Sequence, residues 1–369
     1  MPVKGLPPNA NLNHLKCQAK DLIKEHASRD PQAAQRIREF HPRFRKAPDR
    51  EIFDARLRLS DAQLTIARER GFASWARLKR RLERPTLADN LSLPHHERIE
   101  DQTFRRAVDL LDAGDVDGLR AHLNAHPGLI HQRVLFEGGN YFRNPALLEF
   151  VAENPIRHGK LPPNIVEVTR LILDAGGLND RAALNETLGL VCSGRVSREC
   201  RVQILLIDLL CEYGADPNTG MLPALPHGEL EAANALIRNG ARIDMAVAAA
   251  LGRVGNARNL FATASREERR RALALAAQFG HTEIVRLLLD AGEDPSRYNP
   301  MGTHSHSTPL HQAALAGRYD VVRLLVERGA RLDLKDTMWQ GTPEGWATHA
   351  GETEIAGYLR AWKKPEGKH

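Results

Sequence analysis

The stretch Ser307–Asp336, "STPLHQAALAGRYDVVRLLVERGARLDLKD", restricts this chain more than any other, because it reads as two short helices joined by a glycine. Thr308 is placed to cap the first helix, and Pro309 suits a first turn whose N–H would go unpaired anyway. Leu310, Ala313 and Ala314 form a narrow apolar stripe, with alanines where a neighbouring helix must come close. Gly317 breaks that helix and permits the tight turn. Val321, Val322, Leu324 and Leu325 give the second helix its apolar face, and Gly329 ends it. A pair this small cannot bury its apolar face alone, so it requires copies of itself to stack on.

The copies are there. "ALALAAQFGHTEIVRLLLDAGEDPS" (Ala272 to Ser296) precedes it and "GTPEGWATHAGETEIAGYLRAW" (Gly341 to Trp362) follows it. With the inter-helix glycine as a ruler, weaker copies emerge at Gly114, Gly159, Gly194, Gly228 and Gly255, ahead of Gly280, Gly317 and Gly351. Their spacings of 45, 35, 34, 27, 25, 37 and 34 scatter around a repeat of about 33 residues. The two short intervals predict that the fourth and fifth repeats lack a finger-like hairpin. The long first interval, "HPGLIHQRVLFEGGNYFRNP", predicts an extended loop.

The pattern TPLHxAAxxG followed by VVxLLxxxGA resembles the ankyrin repeat. The resemblance implies an all-α solenoid of about eight helix pairs over residues 102–363, preceded by a basic helical region over 1–101 and followed by a polar tail at 364–369. In the last unit Glu344 and Gly345 replace the Leu-His of TPLH, a departure that fits a capping repeat.

Composition agrees with stacked helices. Hydrophobic residues make up 42% and charged residues 27%, while aromatics are only 5%. The longest apolar runs, such as Ile204–Cys211, are too short to span a bilayer, and the first residues contain no secretory apolar core. Cys17, Cys192, Cys200 and Cys211 stand far apart with no CxxC pair, which fits a reduced cytoplasmic protein.

Charge is uneven. Residues 1–100 carry 21 Lys and Arg against 13 Asp and Glu, a net of +8, whereas the remainder is slightly acidic. Within that basic region, residues 11–40 read as two amphipathic helices and "HPRFRKAPDR" (His41 to Arg50) as a loop. Then "LSDAQLTIARERGFASWARLKRRLER" (Leu59 to Arg84) reads as helix, glycine turn and helix, with a capping box from Ser60 to Gln63 and Ser74 capping the second helix.

Gln63, Ala67 and Gly71 stand at helix-turn-helix spacing, and Arg77, Lys79, Arg80 and Arg81 could then meet nucleic acid. The second half argues against it. Its apolar residues Trp75, Leu78 and Leu82 form a different face from the motif's, and its cations gather at the helix C-terminus, where they complement the dipole. The stretch resembles instead an "AQ…A…GF.SW..LK" helical segment found beside ankyrin arrays in some bacterial proteins. Nucleic-acid binding through those four cations is the alternative reading.

The sequence holds no GxSxG, HExxH, Walker A or metal-spaced cysteine motif, and no cofactor is implied. His304, His306 and His311 lie within eight residues and could contact zinc. However, His311 is the motif histidine, whose role in the family is to tie loops together, and the other two fall on a hairpin tip. His95 and His96 have no obvious third ligand, and Cys192, Cys200 and Cys211 read as small hydrophobes.

Function is therefore expected to be non-enzymatic capture of a protein partner by a monomer. In ankyrin stacks the first helices and hairpin tips line a concave face. The matching outward positions here are Arg253, Leu275, Gln278, Phe279, Gln312, Leu315, Trp346 and His349, flanked by Tyr298, His304, His306 and Trp339 from the fingers. Large apolar groups at exposed positions have the composition of an interface centre.

Overall fold

The computed structural model describes residues 12–83, 91–138 and 141–362, and it separates the chain into two units, Met1–Leu93 and Pro94–His369. Among the described residues there is no strand, only an isolated antiparallel bridge between Arg133 and Ala146. No described helix is long and apolar enough to cross a membrane.

In the first unit, helices Leu12–Ala27, Pro31–Phe40, Asp49–Asp54, Leu59–Glu69 and Trp75–Glu83 surround one core. Asp30 caps the second of these, accepting from the Gln32 N–H at 2.8 Å, and Pro31 occupies its first position. Leu15, Leu22, Ile37, Ile52, Ile66 and Leu78 bury their side chains together. Arg36 runs between Glu25 and Glu69, with the Glu69 carboxylate 2.9 Å away and nearly sealed from solvent.

Two local expectations need correction. The helix after Ala55 begins at Leu59, so its cap is Arg58, whose N–H donates to Asp61 at 2.9 Å. Ser60 lies inside the helix and the Ser60–Gln63 box does not form, because the aspartate already satisfies the first free N–H. The basic stretch His41–Arg50 is not all loop either; it holds a 3-10 turn at Pro42–Phe44 and the start of the helix at Asp49. Ser74 does cap the last helix, accepting from the Arg77 N–H at 3.3 Å.

Among its described residues the second unit is a stack of eight pairs of helical segments. The pairs are Gln102–Ala113 with Val116–Ala125, a 3-10 segment Leu147–Ala152 with Ile165–Asp174, and Arg181–Cys192 with Gln203–Glu212. Next come Asn218–Ala224 with Leu230–Arg238, and Met245–Ala250 with Val254–Leu260. The last three are Arg266–Phe279 with Thr282–Asp290, Pro309–Leu315 with Tyr319–Glu327, and Pro343–Ala350 with Thr353–Ala361. First helices pack on first helices through alanines, as Ala248, Ala276, Ala313 and Ala347 do, all with no exposed surface. Val321, Val322, Leu324 and Leu325 are buried as their spacing requires.

The glycine ruler misplaced one turn. The fifth pair turns at Gly252, which is left-handed at φ 65°, whereas Gly255 sits within the following helix. Gly194 precedes a short extra helix, Arg195–Glu199, so the third pair takes longer to turn. The links 239–244 and 261–265 are short and carry no hairpin. The first long interval folds as one, with the Val134 N–H donating to the Pro145 carbonyl and that of Phe136 to Arg143.

Candidate functional site

The finger between the last two pairs is organised around one carboxylate. Asp336 is fully buried, and its N–H donates to the Gly341 carbonyl at 2.8 Å, closing the turn. Its Oδ1 accepts from the N–H groups of Met338 at 2.9 Å and Trp339 at 2.6 Å. Its Oδ2 accepts from the Gly341 N–H at 2.7 Å and from the Trp346 indole Nε1 at 3.0 Å. Burial pushes the Asp336 pKa up, but these bonds outweigh it and hold the group at about 2.

This turn sets two tryptophans side by side. Trp346, on the helix Pro343–Ala350, is 8% exposed, whereas Trp339 at the turn is 66% exposed. Their ring centres lie 5.9 Å apart at 60°. His306 stands edge-on to Trp339 at 5.2 Å, and His311 edge-on to Trp346 at 5.2 Å. Beside them opens a cavity of about 480 Å³ lined by Leu315, Trp339, Gly341, Gly345, Trp346 and His349.

Gly345 explains why the cavity is open. It occupies the place that His311 holds in the preceding repeat, where the imidazole bridges the Thr308 hydroxyl at 2.7 Å and the Gly341 carbonyl at 3.1 Å. No imidazole fills that position in the last pair. A Cβ added at Gly345 would meet nothing closer than Thr342 Oγ1 at 3.6 Å.

Four residues expected to face a partner thus line one cavity: Leu315, Trp339, Trp346 and His349. The others are engaged within the chain. Leu275 has no exposed surface and belongs to the core, and Phe279 packs partly against it. Gln312 is buried and donates to Ser307 Oγ at 2.8 Å. Tyr298 donates its hydroxyl to the Lys335 carbonyl at 2.5 Å, and Arg253 reaches Asn234 at 3.4 Å.

The finger 291–308 is not a free tip. His304, left-handed at φ 57°, and Gln278 both direct Nε2 at the Pro226 carbonyl, at 2.9 Å each. Gly302 packs on Leu222 so closely that a Cβ would stand 2.7 Å from it. The finger therefore reaches back to the fourth pair across inner helices that have no hairpin of their own. That reach was not legible from a repeat pattern.

The ring centres of His304 and His306 are 6.0 Å apart, and the His311 nitrogens are both engaged. Among the described residues no group of three or more His, Cys, Asp or Glu could hold a metal ion. His95 is buried between Phe136 and Phe142, and burial lowers its pKa to about 4. Burial likewise pushes the Cys192 thiol up, and that of Cys211 to about 11.

A larger cavity, of about 820 Å³, escaped the sequence reading. It lies between the hairpin 133–146 and the helices Arg181–Cys192 and Asn218–Ala224, with Arg133, Tyr141, Glu149, Asn154 and Glu186 in its wall. Arg133 pairs there with Glu149, Asp180 and Glu186. Burial pushes the Glu149 pKa up to about 7 despite a hydrogen bond from the Ala146 N–H. The only advance signal was the length of the loop that forms the hairpin.

In the first unit Leu78 turns into the core, Trp75 packs beside it, and Arg77 and Lys79 are exposed. The side chains of Arg80, Arg81 and Leu82 lie outside the described residues.

Residues 224–336 match the family described as ankyrin repeats, in three copies. The chain is 33% identical over 118 residues to cyclin-dependent kinase 4 inhibitor B of Bos taurus, covering 24% of this chain and 89% of the relative. It is 34% identical over 122 residues to human cyclin-dependent kinase inhibitor 2A, covering 32% and 75% respectively. Ankyrin repeat and SAM domain-containing protein 6 of Mus musculus is 36% identical over 93 residues, which cover 25% of this chain and 10% of that protein.

Proposed function

The chain belongs to the ankyrin-repeat family, and we propose that it holds a protein partner at the last two helix pairs, with Trp339 as the leading anchor. Repeat arrays of this family are interaction scaffolds, and the relatives named as kinase inhibitors fit a binding role without a catalytic step of their own. The observation that carries the reading is the exposure of Trp339. A large aromatic ring is held out to solvent by a rigid turn, beside an open cavity walled by Leu315, Trp346 and His349. An anchor that is already ordered loses little freedom on binding, and aromatic anchors at a cavity edge dominate interface energies.

Leu315 lies within the family match at 224–336, and Trp339, Trp346 and His349 lie beyond it. Leu315 and His349 extend the apolar wall on neighbouring helices. The finger residues His304 and His306 serve by fixing the walls; His306 braces both indoles.

The test is affinity capture from the native cells with wild-type protein and with Trp339→Ala. The reading expects one or more proteins to be retained by wild type and lost with the variant, while the melting temperature stays within a few degrees. Equal retention by both would remove Trp339 from the site.

A further inference from the structure

The cavity beside the tryptophans has an electrical peculiarity. Asp336 is buried and held as a carboxylate by four N–H donors, three from the backbone and one from the indole. These donors solvate the charge without cancelling it. Among the described residues no lysine or arginine forms an ion pair with it. His311 is kept neutral, since burial lowers its pKa and its Nδ1 faces the Thr308 hydroxyl.

Three of the six residues lining the cavity, Trp339, Gly341 and Trp346, donate directly to this carboxylate. Behind the cavity, then, stands a negative charge in a low-dielectric setting, where its field is weakly screened. An indole whose N–H donates to an anion is polarised so that its ring face becomes more negative, the condition that strengthens attraction of a cation. Leu315 and the two glycines leave room for an aliphatic stem.

We propose that this cavity takes a cationic side chain of the partner, an arginine or a lysine, with its charge against the Trp339 and Trp346 rings and its methylenes along Leu315. The proposal rests on the reading that the last two pairs form the docking site. It differs from an ordinary apolar cavity in one respect: a neutral side chain of equal size leaves the buried charge unanswered.

The experiment titrates three probes into the full chain: N-acetyl-argininamide, its neutral isostere N-acetyl-citrullinamide, and N-acetyl-norleucinamide. Binding is followed on the indole N–H resonance of Trp346. The arginine probe is expected to bind with a millimolar dissociation constant, about five- to thirty-fold tighter than citrulline. Trp339→Leu keeps the apolar bulk, so arginine should fall to the level of citrulline in that variant.

Asp336→Asn should erase the same preference. Because that change could disturb the turn, Trp339→Leu, at an exposed position, carries the test by itself if the asparagine variant fails to fold. Equal binding of arginine and citrulline, tighter binding of norleucine, or no shift with any probe overturns the proposal. Capture lost with Trp339→Ala but no arginine preference removes only the cation chemistry. An arginine preference with capture intact keeps the cavity's chemistry and removes it from the partner site.

Discussion

The indole N–H of Trp346 lies 3.0 Å from the carboxylate of Asp336, and that bond divides the labour between the two neighbouring tryptophans. Trp346 is committed to the turn, leaving Trp339 as the ring exposed to solvent. Replacing Trp346 therefore tests the fold more than the surface. We expect Trp346→Ala to cost about 3–5 kcal/mol through the cavity it leaves. Trp346→Phe keeps most of the volume but removes a donor from a buried anion, for about 1–3 kcal/mol. Denaturant melts of both variants beside Trp339→Ala check the ranking, with Trp339→Ala the mildest.

Asp336 also makes the array sensitive to strong acid. Its folded pKa of about 2 lies below the ordinary value of 3.8, so its bonds favour the ionised form. A depressed carboxylate contributes stability that is fully present above its unfolded pKa and is lost as pH falls through the folded one. Its share should disappear between about pH 4 and pH 2. Thermal melts of wild type and Asp336→Asn should show a gap at pH 5 that closes toward pH 2.

The repeat pattern made the helix pairs legible because each pair is a local event: a proline start, a glycine turn and an apolar face at helical spacing. It placed Leu315, Trp339, Trp346 and His349 near one another for the same reason, since equivalent positions on adjacent pairs are neighbours. What it could not convey were contacts between distant pairs. Nothing in the string around His304 announces Pro226, and nothing around Leu275 announces that it joins the core of the earlier pairs. Irregular segments were nearly as opaque; the 3-10 helix Leu147–Ala152 shows no α-helical period, so only the long loop before it hinted at Glu149 and its cavity.

Gly345 offers a way to close the C-terminal cavity without harming the fold. It sits in a helix, has no left-handed backbone requirement, and has open space where a Cβ would go. Gly345→Leu should therefore preserve or slightly raise the melting temperature, helped by roughly 0.5–1 kcal/mol of helix propensity. The new side chain should at the same time block partner capture. A stable variant with undiminished capture would show that the cavity stays empty in the complex.

Arg157 anchors the second pair in a way that predicts large losses. Its guanidinium is almost wholly buried, bonds both oxygens of Asp112 at 2.7 Å, meets Glu153 at 2.9 Å and donates to the Phe150 carbonyl at 3.0 Å. Removing one member strands a buried carboxylate, which typically costs about 3–5 kcal/mol. Arg157→Ala should lose that much in chemical denaturation, and Arg157→Lys should recover little, because an ammonium cannot reproduce the two-pronged bond. A loss under 1 kcal/mol for the alanine variant would mean that Glu153 relaxes to solvent.

Glu149 predicts a pH dependence of opposite sign to that of Asp336. Its folded pKa of about 7 stands above the ordinary 4.5, chiefly because burial disfavours the carboxylate. The folded protein therefore holds a proton that the unfolded chain releases, and stability falls as pH rises from about 4.5 through 7. The total is on the order of 1–3 kcal/mol. Glu149→Gln cannot ionise, yet its amide oxygen can still accept from the Ala146 N–H, now at 2.8 Å from the carboxylate. It should flatten this part of the profile, so that its stability relative to wild type improves between pH 5 and pH 8. The measurement is urea unfolding at both pH values; parallel losses in the two proteins would show that Arg133 keeps Glu149 ionised throughout.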